Sequence, residues 1–212
     1  FSTHGEDSTA LVRVRAEVRA NTARGKLTQQ GHWLVLGFPA MRGVTARAIS
    51  GATPVAPPVP GAHDLLPLLE GSTDSRLDDT RQWIVNTALR ADGNEGEEVR
   101  VQHRRLLDRW FSILRELMPG LAFEYERVDR ESWQVLVKTA DGTLPIEQLS
   151  QGMVSTIGWI GTLLRRLYEA YPDSETPEHE PALVLVDEID AHLHPGWQQK
   201  IVPLVREHFP RV

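Results

Sequence analysis

Ala182-Leu183-Val184-Leu185-Val186-Asp187-Glu188 is an apolar run without alternation that stops abruptly at two carboxylates. The pattern reads as a parallel strand buried on both faces, of the kind found in α/β sheets. Open α/β sheets bind ligands beyond the carboxyl ends of their strands, so the two acids stand where a ligand would sit. Such a position suits Asp187 to hold Mg2+, directly or through water, and Glu188 to polarise an attacking water. The plainer reading of the same residues is a buried strand followed by an acidic turn.

Upstream lies Leu149-Ser150-Gln151-Gly152, followed by Met153, Val154, Ile157, Ile160, Leu163, Leu164 and Leu167 at helical spacing. Serine caps a helix by accepting an early backbone N–H, and the remaining free N–H groups at that end form an anion site. Gly152 would let a phosphate approach the backbone without meeting a Cβ. An ordinary helix cap explains the serine equally well. Downstream, Ile189-Asp190-Ala191-His192-Leu193-His194-Pro195 precedes a helix with Trp197, Ile201, Leu204 and Val205 on one side. If this segment were a strand, His192 and His194 would face the same way and suit zinc. In a turn they suit contacts between subunits better.

Farther out, Leu11, Val12, Val14 and Val18 alternate with charged residues, and Trp33 to Phe38 forms a second apolar stretch. The two are expected to form an antiparallel sub-sheet joined through the polar segment 21–31. Prolines 54, 57, 58, 60 and 67 make the region from Ser50 to Ser75 a loop or insertion. Thr73 or Asp74 is expected to cap a helix reaching about Arg90, and Val99, Leu106, Leu107, Trp110, Leu114 and Leu117 predict another from Glu97 to Met118. Phe123–Val128 and Trp133–Thr139 read as an antiparallel pair with a tight connection at Asp129-Arg130-Glu131. The expected organisation is therefore an antiparallel strand region over 1–49, a Pro-rich loop and helical insertion over 50–118, and the chemistry-bearing region over 119–212.

The chain has 212 residues, a formal charge of −6 and no cysteine. Disulfides, thiolate metal sites and thiol nucleophiles are thereby excluded. No membrane-length apolar run or basic-then-apolar leader is present, so the expected compartment is the cytoplasm. The acidic balance argues against a generally basic surface and leaves DNA contact open.

Taken in order, these segments resemble the ABC-type ATPase heads of the SMC-like and OLD-like AAA group found in prokaryotic anti-phage systems such as Septu. Leu149-Ser150-Gln151-Gly152 is similar to the ABC signature, Leu183 to Glu188 to Walker B with its catalytic glutamate, and Ala191 to Pro195 to the D-loop. The resemblance is specific over Leu144 to Val212. It implies a partial P-loop head of α/β class, with a mixed sheet, an antiparallel sub-sheet and a helical signature subdomain. It also implies ATP and Mg2+ as cofactors and head-to-tail pairing into a homodimer or larger homo-oligomer that drives an effector or nuclease partner. Ser150, Gln151, Gly152 and His194 would meet the nucleotide, Asp187 would serve the metal, and Glu188 would orient water.

The sequence departs from the pattern in two places. No Gly-x-x-x-x-Gly-Lys-[Ser/Thr] stretch occurs, Gly25-Lys26 being followed by Leu27, and no switch histidine follows Walker B. Both are expected in flanking segments of a longer protein. A Q-loop glutamine is open among Gln29, Gln30 and Gln102. The alternatives are a non-hydrolysing scaffold or dimerisation subunit, and a metal-dependent hydrolase using Asp187, Glu188, Asp190, His192 and His194.

Overall fold

The computed structural model describes residues 16, 34–42, 49, 51, 61–71, 74, 76–118 and 123–212. Strand β1 (Leu34–Phe38) is followed by a 3-10 turn at Ala62–Leu65 and the short helix α1 (Leu66–Glu70). Two long helices come next, α2 (Arg76–Asp92) and α3 (Glu97–Leu117), and then strands β2 (Phe123–Val128), β3 (Val135–Thr139) and β4 (Gly142–Pro145). A helical rod starts with α4 (Gln151–Thr156), passes through a π-helical segment at Ile157–Gly161 and continues as α5 (Thr162–Ala170). Strand β5 (Ala182–Val186) and helices α6 (Pro195–Gln198) and α7 (Ile201–His208) complete the order. Among the described residues no helix is long and apolar enough to cross a membrane.

Among the described residues two sheets form, giving a mixed α/β architecture with parallel and antiparallel pairing. β1 and β5 pair in parallel, with Leu34 opposite Ala182 and Phe38 opposite Val186. The antiparallel strands make a separate sheet in the order β2-β3-β4. The partner of β1 among the described residues is β5, whose residues are equally apolar; the expected antiparallel pairing of Trp33–Phe38 with an earlier strand falls on residues outside the described ones. The proposed strand at 9–18 lies outside the described residues apart from Ala16. Among the described residues the antiparallel strands expected as a sub-sheet pair with one another, apart from the parallel pair.

The helices and hairpin follow the sequence pattern closely. Asp74 accepts the Arg76 N–H at 3.0 Å at the start of α2. Asp129 Oδ1 accepts from Glu131 and Ser132 in the tight connection between β2 and β3, where Trp133 takes a left-handed φ of 58°. The third strand of this sheet, β4, follows a two-residue turn at Ala140-Asp141, and its local signal is short: a polar turn before Gly142.

The rod from α4 to α5 runs through the core. Ile157, Ile160, Leu163, Leu164 and Leu167 are fully buried, together with Leu36 and Phe38 of β1 and Ile113 and Leu114 of α3. Phe38 meets Trp159 edge-on, with ring centroids 6.2 Å apart. Burial of these side chains supplies the main drive for docking the rod, at about 1.5–3 kcal/mol for each fully buried aliphatic side chain. One charge enters the same core: Arg166, 0% exposed, is held by Asp64 and Glu169 at 2.7 Å each. Paired in this way, a buried guanidinium avoids the penalty of an uncompensated interior charge.

Gly161 lies where the indole of Trp110 crosses the rod. A Cβ at this position would stand 2.7 Å from Trp110 Cζ2, and the indole N–H donates to the Gly161 carbonyl at 3.3 Å. Gly161→Ala is expected to destabilise the fold by about 1–3 kcal/mol through overpacking, read as a lower urea midpoint at unchanged m-value.

Candidate functional site

The carboxyl ends of β1 and β5 lie side by side because the strands are parallel and in register. The ladder continues one step beyond the strand, Asp187 N–H donating to the Phe38 carbonyl at 2.9 Å. The chain then turns sharply: Glu188 adopts φ 46° and His192 φ 65°, both left-handed. Side chains with a Cβ rarely occupy that region, and the cost is met by surrounding contacts that hold the turn. Inside the turn, Ala191 N–H donates to the Glu188 carbonyl at 2.9 Å and Leu193 N–H to the Asp190 carbonyl at 3.1 Å.

Asp187 and Glu188 are both exposed, and among the described residues neither carboxylate has a hydrogen-bonding or ion-pairing partner. Free oxygen ligands at a strand end fit Mg2+, which keeps several waters and takes one or two carboxylates together with substrate phosphate. No group of three or more His, Asp or Glu among the described residues is arranged to enclose a metal, so a dedicated protein cage at His192 and His194 is not formed.

Strand β5 differs from expectation. Leu183 and Leu185 are 49% and 44% exposed, whereas Ala182, Val184 and Val186 pack against the core. The run lacks polar alternation in sequence, but among the described residues only one of its faces is covered.

Ser150 is the N-cap of α4, its Oγ accepting from the Met153 N–H at 3.4 Å, and both Ser150 and Gln151 are exposed. Gly152 has a reason to be glycine that the sequence did not disclose: a Cβ there would stand 2.5 Å from the His192 carbonyl oxygen. The start of α4 therefore packs directly on the turn after β5. His194 is exposed and caps α6, its Nδ1 accepting the Gly196 N–H at 3.2 Å, which requires that nitrogen to be unprotonated. Of the candidate glutamines, Gln102 is exposed on α3, while Gln29 and Gln30 lie outside the described residues.

Sequence reasoning missed Arg42. Its side chain is 7% exposed and donates to the carbonyls of Asp187 at 2.6 Å and Glu188 at 2.8 Å. It also donates to the Pro39 carbonyl at 3.2 Å and to Ser155 Oγ at 3.4 Å. Desolvation lowers its pKa, opposed by the negative charges of Asp187, Asp74, Glu188 and Asp190. A single arginine beyond a short apolar strand carries no pattern, and only the folded chain brings it to the acids.

Gly152 and Gly158 offer a paired test of the packing between α4 and the turn. Gly152→Ala is expected to cost about 1–3 kcal/mol because a backbone carbonyl must move. Gly158→Ala meets nothing within 4 Å and is expected to be neutral or to stabilise by about 0.5–1 kcal/mol, both read by urea denaturation.

Comparison with known proteins bears on the same part of the chain. The family described as "AAA domain, putative AbiEii toxin, Type IV TA system" matches residues 123–211. The chain is 36% identical over 95 residues to "Retron Ec83 probable ATPase" of Escherichia coli, covering 45% of this chain and 17% of that protein. It is 26% identical over 137 residues to Septu protein PtuA of Bacillus thuringiensis, covering 63% of this chain and 33% of that protein. It is 42% identical over 69 residues to "Retron Vc95 probable ATPase" of Vibrio cholerae serotype O1 biovar El Tor, covering 32% and 13%. The chain thus spans a third or less of the length of these curated relatives. Residues 123–211, which hold both Ser150 and Glu188, are thus the part of the chain that is similar to an AAA-family domain, and the chain shares partial similarity with the Septu and retron ATPases.

Proposed function

We propose that this chain forms the signature and Walker B part of an ABC-type ATP-hydrolysing switch. The observation that carries the reading is the pair of carboxylates, Asp187 and Glu188, without partners among the described residues, at the end of a parallel strand, with the capped start of α4 packed on the turn that follows them. In this reading Asp187 serves Mg2+, directly or through water, and Glu188 orients the attacking water. Ser150, Gln151 and Gly152 offer the free N–H groups of a helix start to the γ-phosphate of a nucleotide bound by a second copy, and His194 stands in the D-loop at that interface. The Mg2+ ion would neutralise developing charge on the phosphates.

Dimerisation around ATP and reopening after hydrolysis would convey motion to a partner effector or nuclease. Similarity to Septu protein PtuA supports a role in anti-phage defence, in the cytoplasm, with DNA as a further candidate partner. The notion of a non-hydrolysing scaffold makes the opposite demand on Glu188.

Glu188→Gln in the complete protein is expected to retain ATP and to lower kcat by about 100-fold or more, the usual order for removing a group that acts only in the transition state. Turnover should also vanish when Mg2+ is chelated. Unchanged hydrolysis in Glu188→Gln would sink the assignment, and a wild-type protein that binds ATP without turnover would establish the scaffold instead.

A further inference from the structure

We infer that Arg42 is a positioning residue that sets the backbone of Asp187 and Glu188 and ties it to α4. The inference rests on the proposed ATPase reading for its catalytic consequence and on geometry for the rest. Arg42 follows β1, and its guanidinium reaches three separate parts of the fold. Two of its nitrogens take the consecutive carbonyls of Asp187 and Glu188, Nε takes Ser155 Oγ inside α4, and the Pro39 carbonyl anchors the side chain to its own loop. Neighbouring carbonyls at 2.6 and 2.8 Å require a planar fork of donors, which arginine has and lysine lacks.

The placement is energetically costly. Among the described residues no carboxylate makes an ion pair with Arg42, although the side chain is buried. A desolvated cation compensated by backbone dipoles gives less stability than apolar packing of equal volume would. What it supplies instead is geometry. Glu188 itself has the left-handed φ and its carbonyl accepts from Arg42, so the bond holds the turn in the conformation that presents both carboxylates. The Gly152 contact with the His192 carbonyl fastens the far side of the same turn to the same helix. Displacement of α4 would therefore move the acids with it. The positive charge also relieves repulsion among Asp187, Glu188 and Asp190, which all act on it.

The test uses the complete protein with Arg42→Lys, which keeps the charge and removes the fork, and compares amide hydrogen exchange without nucleotide and ATP turnover with Mg2+. Exchange in residues 187–193 is expected to rise about tenfold while the antiparallel sheet at 123–145 stays as in wild type. The kcat should fall about tenfold with KM for ATP within about threefold, a split that loss of nucleotide affinity would not give. Wild-type exchange at 187–193, an equal rise over 123–145, or an unchanged kcat would each overturn the inference. If Arg42→Lys does not fold, Ser155→Ala serves in its place: exchange should rise about threefold in both 150–156 and 187–193, and no rise overturns the inference. Exchange needs no turnover, so a protein in which Glu188→Gln hydrolyses ATP normally refutes the proposed function while the exchange result still decides the role of Arg42 as a tether.

Discussion

The parallel pairing of Leu34–Phe38 with Ala182–Val186 brings Arg42 against a turn 145 residues away from it in the chain. Everything in the candidate site depends on that register. Parallel strands align their carboxyl ends, so the loop after β1 and the acids after β5 emerge on the same edge. A shift of one residue would turn Leu34, Leu36 and Phe38 away from the core and carry Arg42 away from the carbonyls it holds. Burial of those three side chains therefore fixes the site as well as the sheet.

The second constraint is the rod from Gln151 to Ala170. One end is the exposed cap at Ser150, the middle is a π-helical segment, and the far end carries buried Arg166. The π segment coincides with the place where Trp110 presses on Gly161. Such segments occur where a helix accommodates a neighbour without breaking, and here the neighbour is an indole that also bonds to the buried Gly161 carbonyl. The rod thus transmits the packing of α3 to the helix start that faces the turn. Its two ends differ in chemistry because one is anchored by apolar burial and an ion pair while the other leaves polar groups open.

Electrostatics at the strand end follow from the same arrangement. Asp187, Glu188 and Asp190 crowd acidic charge into four residues, and an isolated turn of this kind would repel itself. The buried guanidinium behind the turn offsets part of that repulsion through the backbone side, leaving the carboxylates themselves exposed and, among the described residues, without partners. A site built in this way can accept a divalent cation without first breaking an ion pair.

Local pattern was enough for much of the chain. The strict stripe of Glu97–Leu117, the hairpin turn at Asp129, the cap at Ser150 and the apolar run ending at Asp187 are all short-range signals, since each depends on residues within one or two turns of one another. The candidate acids were legible because an abrupt change from apolar to acidic is visible without a fold. Strand partners were not legible: the apolar residues of Leu34–Phe38 suit either kind of pairing, and only the match with β5 across most of the chain chose the parallel one. The one-sided burial of β5, the π segment, the steric need for Gly152 and the role of Arg42 were hidden for the same reason. Sequence by itself determined which segments become helices and strands and where the carboxylates fall, because those depend on neighbours along the chain. Tertiary structure alone decided which carbonyl meets Arg42 and which atom forbids a Cβ at Gly152, because those contacts join residues that no local spacing relates.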